Sequence, residues 1–129
     1  ALVAFMTHIE DTEEKAVARA RGPLQEHAGA LYKLFKGDQW NRDYASDESV
    51  LLQMSDTGDI IDTFRRRTLI GTTEQAIERI AKYVELGFTD IAIIPRYADL
   101  TVEEEQVTIE RITKEVMPAL GFTPAAAAE

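Results

Sequence analysis

The sequence predicts an α/β fold in which parallel strands alternate with helices. Three short, mostly apolar segments, residues 1–9, 67–70 and 88–94, are each followed by a helix start signal and by apolar residues at helical spacing. Strands that are apolar along their whole length are typical of a parallel sheet covered on both faces. Strands that alternate with helices form such sheets, so the α/β class follows from the order of the elements.

The first strand, residues 1–9, precedes a predicted helix. Asp11 with Glu14 three residues later gives an N-cap signal, and the Gly22-Pro23 pair could bend the helix. Its inward stripe is predicted to contain Ala16, Ala20, Leu24, His27, Leu31 and Leu34. The periodicity then fails, and we predict a long loop with the character of a lid over residues 35–66, in which Trp40 and Tyr44 are large hydrophobic side chains.

The second half of the chain carries the clearest signals. Thr72 with Gln75, and Thr101 with Glu104, have the spacing of capping boxes at the starts of two helices. Gly87 is placed to end the first of these helices. The inward-facing residues are predicted to be Ile77, Ile80, Ala81 and Val84 in the first helix, and Ile109, Ile112 and Val116 in the second. Residues 1–122 are predicted to form one domain, and the alanine-rich residues 123–129 a frayed tail.

Composition excludes several classes of function. The chain has 14 Lys and Arg residues against 23 Asp and Glu residues, a net charge of −9, which disfavours nucleic acid and anionic membrane surfaces as partners. It has no cysteine for a disulfide or a thiolate metal site. No apolar run approaches the ~20 residues of a membrane span. We therefore expect a cytoplasmic protein without membrane or nucleic-acid partners.

His8 is the candidate catalytic residue. It lies near the carboxyl end of the first strand, the end at which ligands bind in parallel α/β folds, where it could act as a base or could be a structural side chain bonded to backbone. Arg96 and Tyr97 follow the strand at 88–94 and share this position. His27 lies on a helix stripe and is expected to be structural, and the two histidines lack metal-ligand spacing, so no metal site is expected.

Two further features could bind an anion. Gly71 and Thr72 lie at a helix N-terminus, where free amides attract negative charge, although the same pattern is typical of a simple helix cap. Arg67 belongs to a run of three arginines that could bind an acidic group or neutralise nearby aspartates. The run of glutamates at 103–105 is interpreted as capping and surface charge.

The C-terminal part of the sequence resembles the bacterial luciferase-like, flavin-dependent monooxygenase family. The resemblance rests on the Gly-Thr-Thr-Glu turn at 71–74, the Glu-Leu-Gly-Phe-Thr-Asp loop at 85–90 and Val-Met-Pro-Ala-Leu at 116–120. Thr73 stands where many members have proline. Residues 35–40 look more loosely like the segment that precedes a mobile loop in bacterial luciferases.

This resemblance implies the C-terminal part of a TIM (β/α)8 barrel, since a whole barrel typically needs ~250 residues. It implies a reduced FMN supplied by a partner flavin reductase, with O2 and a small organic substrate such as an aldehyde, alkane or sulfonate. On this view His8 is catalytic and Trp40, Tyr44 and Tyr97 belong to the substrate pocket or lid. The cofactor-binding candidates are Arg67, Gly71, Thr72 and Arg96.

Two alternatives remain open. An oxidoreductase of the same barrel family could use the deazaflavin F420 instead of FMN. Alternatively, the chain is a non-catalytic half-barrel or flavin-binding protein that folds by oligomerising, because unpaired strand edges favour association. In every case we expect a homo-oligomer or association with the rest of a barrel.

Overall fold

The computed structural model describes residues 1–36 and 68–122. These residues form one parallel sheet with helices on both faces. The elements are strand β1 (Leu2–Ile9), helix α1 (Glu13–Lys36), strand β2 (Thr68–Gly71), helix α2 (Thr73–Glu85), strand β3 (Asp90–Ile94), helix α3 (Val102–Arg111), a π-helical turn (Ile112–Val116) and the short helix α4 (Met117–Ala119). The predicted α/β class, with parallel strands alternating with helices, is confirmed.

Most of the predicted 35–66 loop, and the predicted 123–129 tail, lie outside the described residues. Residues 35 and 36 end α1 instead of beginning a loop. That helix continues through Pro23, which lies in its interior. None of the helices in residues 1–36 and 68–122 combines the length and apolarity needed to cross a bilayer.

β1 is the central strand of the three that are described. It pairs in parallel with β2 along one edge and with β3 along the other, so that Met6 is the register partner of both Thr68 and Ile94. Connections between parallel strands are right-handed. The connection from β1 to β2 and the connection from β2 to β3 run in opposite directions across the sheet, so their helices lie on opposite faces. α1 and α2 accordingly pack on opposite sides of the sheet.

This strand order differs from the one expected for part of a barrel. In a (β/α)8 barrel consecutive strands are neighbours, whereas here β1 separates β2 from β3, as in a doubly wound sheet. The physical reason is the position of α2, which packs on the face opposite α1. A right-handed connection through α2 carries the chain past β1 before β3 begins. A barrel is therefore not shown by the described strands.

Each face of the sheet has its own apolar core. The core on the α1 side contains Ala16, Ala20, Leu24, Ala28, Ile70, Tyr97 and Leu100, with Met6 packed against it. The core on the α2 side contains Phe5, Ile9, Leu69, Ala76, Ile80, Ile112 and Val116. Alternate residues of a strand face opposite sides, so His8 lies on the same face as Met6 and points toward the side of α1.

Both predicted capping boxes are present. The side chains of Thr72 and Thr101 accept hydrogen bonds from the backbone N–H three residues later, and Gln75 and Glu104 bond back to the cap amide. Gly87 follows the end of α2 with a φ of 94°, a conformation that favours glycine.

The predicted inward stripes are only partly right. Val84 is 41 % exposed and Ile109 is 42 % exposed, whereas Thr108 is completely buried. α3 continues into the π-helical turn at Ile112–Val116. Because a π-helical turn contains an additional residue, it shifts the phase of the helix face, and the buried positions become 108, 112 and 116.

The strand order can be tested by engineered disulfides, because the natural chain has no cysteine. Met6→Cys with Ile94→Cys should give an intramolecular disulfide on mild oxidation, since these residues are partners on neighbouring strands. Thr68→Cys with Ile94→Cys is the matched control, because two strand spacings, about 10 Å, exceed the reach of a disulfide. Free-thiol counting would distinguish the two variants. Sequential barrel order would reverse the result by placing β2 beside β3.

The cap of α2 should contribute measurably to stability. Thr72→Ala removes the hydroxyl that accepts from the Gln75 amide and should lower the free energy of unfolding by about 1 kcal/mol. Thr72→Ser retains this acceptor and should remain close to the parent protein. Urea unfolding followed by circular dichroism measures both variants, and equal losses would show that the hydroxyl does not stabilise α2.

Candidate active site at the carboxyl end of the central strand

His8 is a buried histidine at the carboxyl end of β1. Its side chain is 2 % exposed, and its Nε2 lies 3.1 Å from Oε1 of Glu10. Its other ring nitrogen, Nδ1, has no hydrogen-bond partner among the described residues. In doubly wound sheets, ligands bind outside the carboxyl ends of the strands, where successive connections leave in opposite directions. His8 occupies this position on the central strand.

α3 covers this end of β1 and completes a small cavity. The cavity has a volume of about 210 Å³ and is lined by His8, Ile9, Glu10, Glu103, Glu104 and Val107. Three of the lining side chains are carboxylates, and none is a lysine or arginine. Its walls therefore present one imidazole and an excess of acceptor oxygens to any ligand.

Arg19 of α1 holds Glu104 in place at this cavity. Its Nε donates to Oε2 and its Nη2 to Oε1 of Glu104, both at 2.8 Å, in a two-pronged pair. The same guanidinium donates to the backbone oxygen of Asp99 at 3.1 Å. These contacts tie α1 to the segment between β3 and α3.

The Glu104 carboxylate is strongly stabilised in its ionised form. The hydrogen bonds from Arg19, together with the bond from the Thr101 amide at the start of α3, lower the pKa of Glu104 to about 2. The same pair raises the pKa of Arg19. Glu104 is therefore a fixed negative charge at neutral pH.

Arg96 and Tyr97 lie after β3, as expected, but have different surroundings. Tyr97 is 5 % exposed and packs in the core on the α1 side, and burial raises the pKa of its phenol. Its hydroxyl has no hydrogen-bond partner among the described residues, and its side chain does not line the cavity. Arg96 donates from Nε to the backbone oxygen of Leu100 at 3.3 Å and is half exposed.

Gly71 and Thr72 lie at the start of α2, where the local groups bond to one another. The Thr72 amide donates to Oε1 of Gln75 at 2.9 Å, and a Cβ added at Gly71 would lie only 2.1 Å from that oxygen. Two carboxylates are close by, because the Gln75 amide group donates to Glu13 and the Thr73 hydroxyl donates to Glu115. A phosphate group does not fit this acidic, internally bonded helix start.

The remaining candidate residues are not brought to the cavity by the described structure. Arg67, Trp40 and Tyr44 lie outside the described residues. His27 is half buried on α1, as expected for a structural side chain.

Sequence reasoning missed Glu10 and Glu104 as partners of His8. Glu10 carries a recognisable signal, since it lies two residues after His8 and alternate residues of an extended chain share a side. Glu104 was recognisable only as a capping residue. Its position at the cavity depends on its pairing with Arg19, 85 residues away along the chain.

No protein-family model, curated protein or solved structure matches this chain. The resemblance to the luciferase-like family, and the cofactors and partners that it implies, therefore stay predictions.

The Arg19–Glu104 pair should make stability depend on acid pH. Because the pKa of Glu104 is lower in the folded protein than its ordinary value of 4.5, the stabilisation is present above that value. It is lost as the pH falls toward about 2. Glu104→Gln should therefore lower the free energy of unfolding by about 1 kcal/mol at neutral pH, with a difference that shrinks in acid.

Urea unfolding at several pH values, with a chelator present, measures this difference. Glu103→Gln is the matched control, because it removes one charge from the same helix turn without touching Arg19. An equal pH dependence in the two variants would contradict a specific role for the pair.

Proposed function

We propose that this chain forms part of a flavin-dependent oxidoreductase of the luciferase-like type, in which His8 transfers a proton to or from the substrate. One observation carries the proposal: a buried imidazole lies at the carboxyl end of the central strand, lines a cavity and is paired through Nε2 with Glu10. Imidazole is the most common general acid and base in enzymes. The sequence resemblance over about residues 67–120 supports the reaction class.

Glu10 suits the role of partner to this histidine. It is 34 % exposed while His8 is 2 % exposed, so the pair links the buried ring to solvent. A proton shared between Nε2 and Oε1 can pass to a ligand in the cavity or from it. Arg19 keeps Glu104, and with it the opposite wall of the cavity, in a fixed position.

Among the described residues, the candidate groups for a flavin phosphate are engaged with other parts of the protein. The cavity walls are acidic, the start of α2 is occupied by its own side chains, and Arg96 is bonded to Leu100. The phosphate would therefore be held by residues outside those described. The bound flavin would supply the redox chemistry, using O2 to oxidise an aldehyde, alkane, sulfonate or similar compound.

A cytoplasmic location belongs to the same proposal. In it, the described sheet, with β1 between β2 and β3, is one part of a larger α/β fold. A homo-oligomer, or association with further strands, would provide the additional surface. A partner flavin reductase would supply reduced FMN.

The first test is to titrate the purified native protein with FMN and with F420, following flavin fluorescence while light scattering gives the particle mass. We expect micromolar FMN binding in a particle larger than one chain. Binding of F420 alone would favour the deazaflavin oxidoreductase. A small soluble dimer that binds neither cofactor would contradict the proposal and favour a non-catalytic protein.

The role of His8 is tested by His8→Gln, with His27→Gln as the control, since the chain has only two histidines. In an assay of aldehyde oxidation with reduced FMN, His8→Gln should lower kcat by at least about 100-fold. FMN affinity and the circular dichroism spectrum should change little. Equal activity in the two variants would show that His8 transfers no proton in the reaction.

A further inference from the structure

The cavity at the end of β1 brings together three groups that can ligate a metal ion. His8, Glu10 and Glu104 each offer one ligand atom, and the three atoms lie within 4.8 Å of one another. Of these atoms, Nε2 of His8 and Oε1 of Glu10 are 3.1 Å apart. Two adjacent ligands on one ion, with bonds of about 2.1 Å, have about this separation.

The facing atoms of His8 and Glu10 need either a ring proton or a cation between them. If the ring proton is on Nδ1, the lone pair of Nε2 faces a carboxylate oxygen, which is repulsive unless a cation lies between the two. If the proton is on Nε2, it forms an ordinary hydrogen bond to Glu10. Nδ1 has no partner among the described residues in either case, so it does not distinguish a proton from a metal ion at Nε2. A metal ion at Nε2 would take the place of the shared proton.

The charges around the cavity also favour a cation. Glu10, Glu103 and Glu104 line it, while the guanidinium that contacts Glu104 approaches from α1. The three lining carboxylates outnumber the two arginines that act on them, Arg19 on Glu104 and Arg111 on Glu10, which leaves an excess of negative charge. This excess attracts a divalent cation to the cavity and repels phosphate groups.

We propose that His8, Glu10 and Glu104 bind a divalent transition-metal ion of the Zn²⁺ or Co²⁺ class. An imidazole nitrogen with two carboxylates suits such ions, whereas Mg²⁺ and Ca²⁺ prefer oxygen ligands alone. Three protein ligands leave a position for water or a substrate. Glu104 can accept the ion while bonded to Arg19, because a carboxylate has about four lone-pair sites.

This inference uses the cavity of the proposed function and does not depend on flavin chemistry. A metal ion and a proton compete for the same nitrogen, so His8 can transfer a proton only in the metal-free protein, and metal binding would switch that transfer off. Measuring metal binding in the absence of flavin keeps the two proposals separate, because either one can fail alone.

The first experiment is calorimetric titration of the chelator-treated full chain with Zn²⁺ and with Co²⁺, with Mg²⁺ for comparison. We expect one site of micromolar affinity for Zn²⁺ and Co²⁺, and much weaker binding of Mg²⁺.

Glu10→Gln should weaken Zn²⁺ binding by at least about tenfold. Glu103→Gln, which removes an equal charge from the same cavity but no ligand, should change the affinity less than about threefold. Equal weakening in both variants would show diffuse attraction to an acidic surface and overturn the proposal.

Proton NMR of the two histidine rings provides a second readout. Zn²⁺ should shift the ring signals of His8 and leave those of His27 unchanged, and paramagnetic Co²⁺ should broaden the same signals. His8→Gln should abolish the site while His27→Gln retains it. If His8→Gln fails to fold, as circular dichroism would show, the ring signals of the parent protein and the Glu10→Gln result still decide the matter. Shifts at His27 alone, or no binding by the folded parent protein, would overturn the proposal.

Discussion

Hydrogen bonding of β1 along both of its edges determines where the other described elements lie. A central parallel strand is shielded by neighbours in the plane of the sheet and by helices above and below, so its side chains enter both cores. Phe5 and Ile9 belong to the core on the α2 side, while Met6 packs against the core on the α1 side. The same arrangement buries His8 at the end of the strand, where a polar group must either form hydrogen bonds with its neighbours or bind a ligand. The chemistry of the candidate site is thus a consequence of the strand order.

Charge pairing supplies the second constraint, because it fixes the helix that closes the site. The chain is strongly acidic, and its cations are few, so each buried or half-buried arginine has considerable influence. Arg19 binds a carboxylate and a backbone oxygen on the segment after β3. Arg111 pairs with Asp11 beside the end of β1, which lowers the pKa of Asp11. Together these two contacts hold both ends of α3 against α1 and the segment that leads into it from β1.

Much of this fold is predictable from local sequence signals. The capped starts of α2 and α3, the glycine after α2 and the three strand positions all follow from short-range patterns whose physics is local. Strand order is different, because it depends on which face each helix covers, and an apolar helix stripe is the same for either face. The exposed position of Ile109 shows a second limit, since the π-helical turn alters the phase of the helix and has no simple sequence signature. His8 was predictable as a strand-end residue, whereas its approach to Glu104 depends on contacts between distant parts of the chain.

The dual bonding of Glu104 has a consequence for how the protein reaches this fold. Its carboxylate accepts from the Thr101 amide within one turn of helix, a contact that can form as soon as α3 begins. Where that local bond forms first, it restricts the rotamers of Glu104 before Arg19, 85 residues away along the chain, binds it. Part of the side-chain entropy is then lost with the helix cap, and the tertiary contact forms its two charged hydrogen bonds with a carboxylate that is already oriented. The helix cap thus orients the Glu104 side chain for its tertiary contact with Arg19.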